Sequence, residues 1–358
     1  MMKMFAFDPA QYRDEFRTKG WVHIKNAISP EFLASLREFV TESLGEHRLE
    51  EFAIKGKKEQ ALYEFPDDVD YPGELFDSVA SLCGLNRSNM TLSERHIQAY
   101  EANAAPEPAA HKDRLGSQIA VGFSIDVPKD SRLVIYPFDQ REINPLNSSA
   151  AYRRSLRPEA LPEVSLKSAT EVEIDDDPGD IVVFRGSTTW HLRRNSAGTV
   201  NLYLKLNDFR CDPLGDDPFT SEHRARTLAA LASADEEQLN TLIPVVSRRL
   251  DAVTRQYTRN NWQEVLWANL YGEEAFGLTE AEFALLQRAD GDRTFGELVA
   301  DFRAGGVDAA TVQSNLRWLV ERGALDLLLR SETPSLPHES SGRDATWQTS
   351  IRPSVAMG

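Results

Sequence analysis

"PGDIVVFRGSTTWHLRRNSAGTVNLYLKLN", residues 178–207, holds the fold of this chain in a few short runs. Pro178-Gly179 is a turn signal, and the apolar run at 181–184 that follows reads as a buried strand. In "TVNLYLKLN" the alternation is strict. Val200, Leu202, Leu204 and Leu206 share one face, and Asn201, Tyr203, Lys205 and Asn207 share the other. A polar row on an otherwise apolar strand is what the inside of a ligand-holding barrel shows.

Working outward, "RHIQAYEA" (95–102) alternates in the same way and puts His96, Gln98 and Tyr100 on one face. "SQIAVGFSIDV" (117–127) and "SRLVIYP" (131–137) are further short β-rich runs. Several short strands separated by turns predict an all-β sandwich or barrel. Helices flank it. Asp8-Pro9 opens one. "WVHIKNA" (21–27) is a strand. "SPEFLASLREFVTESLG" (29–45) has Ser29 as N-cap, Pro30 at the first helical position and Gly45 as a stop. Residues 138–170 read as a long irregular insertion carrying Arg141, Arg153, Arg154 and Arg157, either a solvated loop or a lid over substrate.

From about residue 219 the pattern turns helical. Residues 216–245 read as a helical linker. A hairpin turning at Asn260-Asn261, three short helices and a final strand then make a module of winged-helix type over 246–330. The tail, 331–358, is rich in Ser, Pro and Thr and reads as disordered.

The 358 residues suggest about two domains. A hydrophobic content of 41% with 27% charged residues fits a soluble globular protein. Two cysteines, Cys83 and Cys211, fit a reducing cytoplasmic setting and exclude a disulfide scaffold or the usual zinc cluster. A net charge of −16 argues against nucleic acid as a partner. No apolar run is long enough to span a membrane, and the N-terminus turns charged too early for a signal peptide.

His111 and Asp113 alternate so that both point from one face of an extended segment, and His191 lies after the 181–184 strand. Two imidazoles and one carboxylate on one side of a metal leave coordination positions open, which suits non-haem Fe(II). The bland alternative is an exposed turn at 111–113 and a satisfied core histidine at 191. For His23 and His96 a hydrogen-bonded strand histidine is the expected role. Trp190 either walls the site or faces the core.

In "IQAYEANAAPEPAAHKD", "DSRLVIYP" and residues 178–207, with "FRTKGWVHIKNAISPEFLASLREFV" before them, the sequence resembles the Fe(II)/2-oxoglutarate dioxygenases. The likeness is to their prolyl-hydroxylase-like and phytanoyl-CoA-hydroxylase-like branches and covers roughly residues 12–209. It implies an α+β chain with a double-stranded β-helix (jelly-roll, cupin-like) core over 1–215, and Fe(II) held by His111, Asp113 and His191. It also implies 2-oxoglutarate and O2 as co-substrates. The carboxylate at Asp113 implies hydroxylation rather than halogenation.

The family holds the far carboxylate of 2-oxoglutarate with a cation on the strand after the second histidine. Here Asn201 stands ten residues after His191, where an arginine is often found, and Lys205 stands fourteen residues after it. Lys205 is therefore the candidate, with hydroxyls from Tyr100 or Tyr203 and with Gln98 and Asn201 lining the pocket. Arg132, Arg193 and Arg194 are alternatives, the last two expected in a hairpin facing solvent.

The C-terminal stretch "LWANLYGEEAFGLTEAEFALLQRADGDRTFGELVADF" resembles PqqD-like and other appended winged-helix modules, which bind leader peptides or dimerise. Nine acids against six arginines over 276–330 speak against DNA reading. Three functions stay open. One is oxidation of a small metabolite; another is the same chemistry on a peptide or protein docked on the C-terminal module. The third is a metal-binding β-barrel without oxidative chemistry.

Overall fold

The structure, a computed structural model, describes residues 1–44, 58–211, 221–271 and 274–328. Gly45 and the 331–358 tail lie outside them, so neither the helix stop nor the disorder expected there is addressed.

The N-terminal caps form as their residues dictate. Asp8 accepts a hydrogen bond from the Ala10 amide (3.0 Å) and opens a short 3-10 turn, which leads into α1 (Arg13–Lys19). Gly20, at φ 80°, ends α1 in a conformation that a side chain would oppose. β1 (Trp21–Ile24) follows, and then α2 (Pro30–Ser43), whose N-cap Ser29 accepts from the Phe32 amide at 3.1 Å. β2 (Lys58–Leu62), α3 (Tyr71–Cys83) and β3 (Thr91–Tyr100) lead into β4 (Ile119–Asp126), β5 (Arg132–Tyr136), β6 (Val172–Ile174), β7 (Ile181–Phe184), β8 (Trp190–Arg194) and β9 (Val200–Asn207).

These strands form two antiparallel sheets. The larger runs β1-β7-β4-β9-β3-β2 and the smaller β6-β5-β8. Strand polarity assigns the layers. Ile97, Val121, Phe123, Leu202, Leu204 and Leu206 leave the larger sheet on its outer face. There they meet Phe32 and Leu36 of α2 and Leu75 and Val79 of α3. Between the sheets, Ala120, Val182 and Phe184 meet Leu133, Ile135 and Ile174. The rest of that inner space is lined by Tyr203 and Lys205 of β9 and by His96 and Gln98 of β3. Alternating polarity therefore does what the sequence predicts: one face makes a core under the helices, and the other makes a pocket.

The 138–170 insertion departs from expectation. It is not irregular throughout. α4 (Ser149–Ser155), capped by the Ser148 hydroxyl accepting from Ala151 N at 3.2 Å, is followed by a 3-10 turn and α5 (Pro162–Ser165). Two of its arginines are spent on acids, Arg153 on Glu163 (2.7 Å) and Arg157 on Glu280 (3.1 Å).

The helical linker and the C-terminal elements follow: α6 (Ser221–Ser233), α7 (Glu236–Thr241), β10 (Ile243–Val246), β11 (Leu250–Tyr257), β12 (Glu264–Leu270), β13 (Phe276–Leu278), α8 (Glu280–Leu286), α9 (Phe295–Ala304), α10 (Ala309–Glu321) and β14 (Leu325–Leu328). The expected hairpin is β11–β12. The final strand β14 pairs instead with β10. One apolar cluster joins this region to the smaller sheet: Val134, Tyr136, Trp190 and Leu192 pack in it with Phe283, Leu286, Phe295 and Leu316. No helix among the described residues is long and apolar enough to cross a membrane.

Candidate metal centre

Three side chains converge at one end of the inner space. His111 and His191 face each other across an antiparallel bridge, each amide donating to the other's carbonyl at 2.9 Å. Their ring centroids are 4.3 Å apart. Asp113 follows by the period of an extended chain, with Oδ1 3.7 Å from His191 Nε2. One ligand atom from each of the three residues lies within 4.8 Å of the others.

The donor atoms of these three side chains are in the states a metal would need. His191 Nδ1 is 2.9 Å from the Thr189 carbonyl. A carbonyl only accepts, so Nδ1 carries the proton and the Nε2 lone pair faces Asp113 and His111. Burial would raise the Asp113 carboxyl, but the Lys205 ammonium and the two imidazoles outweigh it and hold it well below the usual carboxylate range. Asp113 is thus ionised, the form a metal takes. Its backbone is fixed as well: its amide donates to the Gly186 carbonyl (3.0 Å), and Asn144 Nδ2 donates to its carbonyl (2.9 Å).

Lys112, between the two ligands, points the other way. Its ammonium donates to the carbonyls of Gln140 and Glu142 and lies over Trp190, 5.1 Å from the ring centroid. Burial pushes its pKa down to about 7, against the pull of Glu142. It ties the ligand segment to the start of the insertion. Trp190 belongs to the core and stacks on Tyr152 at 6.0 Å.

A cavity of about 700 Å³ opens from the triad. Of the residues the sequence singled out, His111, Asp113, His191, Lys205, Tyr100, Gln98 and Tyr203 all line it. Asn201 does not. It is 1% exposed and donates from Nδ2 to the Tyr203 hydroxyl (3.3 Å). The Tyr100 hydroxyl donates to Gln98 Oε1 at 3.3 Å, and Gln98 Nε2 lies 3.0 Å from His96 Nε2. His96 also lines the cavity, whereas His23 pairs with Asp180 at 2.7 Å on the edge strand β1.

Lys205 and Arg193 are placed differently from expectation. The Lys205 ammonium donates to Asp113 Oδ2, beside the triad rather than remote from it. Arg193, expected in solvent, is 4% exposed, lines the cavity, and donates twice to Asp176 at 2.7 and 3.0 Å. The Ser124 hydroxyl completes that carboxylate's shell at 2.6 Å. The signal was legible: Arg193 is two residues after His191 on β8, so the strand period puts both on the same face. Arg194, the next residue, points out and pairs with Glu107 at 2.7 Å and Glu171 at 2.9 Å. Arg132 pairs with Asp175 at 3.0 Å. Sequence reasoning also missed Ser148 and Ser149 from the insertion and the Glu94–Arg114 pair, all of which line the cavity.

No family model matches the chain, and no curated protein matches it. Solved structures do. A non-heme alpha-ketoglutarate-dependent carbocyclase, SnoK, from nogalamycin biosynthesis is 16% identical, with 58% of this chain and 88% of that one covered at a TM-score of 0.43. A 2OG-Fe(II) oxygenase family oxidoreductase from Burkholderia pseudomallei is 12% identical, with 59% and 95% covered and a TM-score of 0.39. A Pseudomonas putida prolyl-4-hydroxylase is 11% identical, with 55% and 96% covered and a TM-score of 0.34. At scores of this size the side chains, not the likeness, decide the chemistry.

Proposed function

We propose that the chain is an Fe(II)- and 2-oxoglutarate-dependent oxygenase that hydroxylates, or otherwise oxidises, an unactivated C–H bond of a small metabolite such as an amino acid or a biosynthetic intermediate. One observation carries this: two imidazoles and one ionised carboxylate with ligand atoms within 4.8 Å of one another, at the end of a cavity of about 700 Å³. The donor set fits ferrous iron. It is neutral nitrogen plus one hard oxygen, it comes from one side, and it leaves positions open toward the cavity. When bound, the iron, 2-oxoglutarate and O2 supply the oxidising power for the C–H bond.

The chain's own residues bind and orient. His191 presents Nε2 because Thr189 fixes its tautomer. Asp113 offers Oδ1, since Oδ2 is engaged by Lys205. Two residues further along β8, about 6.6 Å by strand geometry, Arg193 offers the far carboxylate of a dicarboxylic acid a cation. The buried phenol of Tyr100, pushed up in pKa chiefly by burial, stays protonated to donate beside it. Lys205 is the nearer cation and the alternative anchor. Gln98, Ser148 and Ser149 supply neutral hydrogen-bonding groups for a substrate of modest size. The C-terminal region, which we take to be a winged-helix-like packing module, backs this wall through the shared apolar cluster.

A second reading has its own observation. The two candidate anchors, Lys205 and Arg193, already face carboxylates, Asp113 and Asp176. A metal-binding barrel with no seat for 2-oxoglutarate would look the same. Succinate release from 2-oxoglutarate in air separates the two. The oxygenase releases succinate only with Fe(II) and loses this in His111→Ala. The non-oxidative barrel binds Fe(II) and releases none.

A further inference from the structure

A second cavity, of about 470 Å³, lies on the other side of the loop that carries Gly186. Its walls include Arg185, Ser187 and Thr188 between β7 and β8, residues 141–143 of the insertion, the turn between α8 and α9 with Asp301 of α9, and Leu115, Gln118 and Phe209. The charges in it do not balance pairwise. Arg293 is spent on Asp290 (2.9 Å) and Asp301 (3.0 Å). Arg185 and Arg288 have no carboxylate partner among the described residues. Each guanidinium instead lies over an aromatic ring, Arg185 over Phe16 at 5.5 Å and Arg288 over Phe302 at 4.7 Å. A guanidinium over an aromatic ring is held without spending its N–H groups on a carboxylate. Arg185 Nε is buried with no hydrogen-bond acceptor. That nitrogen lies beside Gly20 and is closed to solvent, so a ligand in the cavity meets the rest of the Arg185 side chain.

We infer that this cavity binds a small oxyanion, a carboxylate or a phosphate, between Arg185 and Arg288, with the hydroxyls of Ser187 and Thr188 in reach. Planar guanidiniums match such oxygens in pairs. The size is limited by charge. Glu142 and the exposed Asp292 also line the cavity, so a long polyanion would meet like charges.

The site touches the metal centre through the backbone of Ser187 and through Asn144, whose side-chain amide makes the last link. The Ser187 amide donates to the Ser117 carbonyl (2.9 Å), the Ser187 carbonyl accepts from Asn144 N (2.7 Å), and the same Asn144 donates to the Asp113 carbonyl (2.9 Å). An anion that fixes residues 185–188 therefore stiffens the frame of Asp113. The site is an effector site if the metal reading holds, and a binding site whether or not it does.

Calorimetry on the metal-free full chain tests it with two probes, inorganic phosphate and acetate. Wild type is expected to bind at least one of them. Arg185→Gln and Arg288→Gln are each expected to weaken that binding about tenfold, the loss of one charge-assisted partner. Which probe binds tells phosphate from carboxylate. Arg288→Gln, on the half-exposed side, keeps the test alive if Arg185→Gln fails to fold. No heat with either probe, or binding unchanged in Arg288→Gln, overturns the site. The measurement needs no iron, so its failure is separate from failure of the oxygenase reading.

Discussion

Gly186→Ala adds one methyl group beside the His111, Asp113 and His191 cluster, and the structure says where it goes. A Cβ on residue 186 would stand 2.5 Å from Asp113 Oδ2, 2.7 Å from the Ser117 carbonyl oxygen and 3.3 Å from Ala120 Cβ. Gly186 is needed for space, since its φ is not in the left-handed range. The Ser117 carbonyl cannot retreat easily because it accepts from Ser187 N. The carboxylate is held between Lys205 and His191. Either Asp113 swings off the triad or the whole turn moves. Overpacking of this kind costs about 1–3 kcal/mol. At roughly 2–4 °C per kcal/mol for chains a little shorter than this one, the melting temperature falls by several degrees. Displacing one ligand's support lowers metal affinity by about 10–100-fold. Thermal melts and a Mn(II) titration by calorimetry read both. Gly84→Ala is the control: nothing lies near its Cβ, φ is +74°, and the cost is about 1 kcal/mol of backbone strain with metal affinity unchanged. A Gly186→Ala protein with wild-type melting and wild-type metal affinity would refute the placement of Asp113 and with it the triad.

Lys205→Met leaves Asp113 buried beside no ammonium, so the metal-free protein loses about 3–5 kcal/mol in urea unfolding. Removing a positive charge next to a dication also tightens metal binding, opposite in sign to His111→Ala, and calorimetry checks this. Asp176→Asn strands Arg193. The Asp176 carboxyl, which burial would raise, is instead lowered by Arg193 and Ser124, so its stabilisation is present at neutral pH and lost as pH falls through its depressed value. The gap in urea midpoint between wild type and variant should therefore be full at pH 7 and narrow below about pH 4. Leu36→Ala, at a position 0% exposed under the larger sheet, costs about 2–5 kcal/mol by chemical unfolding without changing metal affinity. Cys83 and Cys211 form no disulfide among the described residues and are poorly exposed, and burial pushes the Cys83 thiol up, so thiol reagents label them slowly until the chain unfolds.

The sandwich was legible because β9 and the 95–100 part of β3 alternate, and a period of two assigns faces directly. The same rule predicts Arg193 inward. Hairpin position points it outward, but that is a weaker guide than strand period, and strand period wins. The placement of Lys205 was not legible, since how far along a strand a side chain reaches toward another segment depends on sheet register. Here β9 pairs with β4 so that Lys205 lies opposite Ala120, near the loop holding Gly186. The insertion read as loop because α4 spans only Ser149–Ser155 and its apolar residues are too few to show a helical period; the Ser148 cap was the available sign. The partner of β14 was hidden for a different reason. β10 is four residues long and directly follows helix, and a strand that short has no periodicity of its own.

The central claim is that His111, Asp113 and His191 hold ferrous iron with 2-oxoglutarate beside it. An anaerobic optical titration tests it most directly: Fe(II) is added to wild type and to His111→Ala, then 2-oxoglutarate. The account predicts a weak visible band on the second addition to wild type and none in the variant. Iron binding to wild type with no band, or a band that survives in His111→Ala, would contradict it.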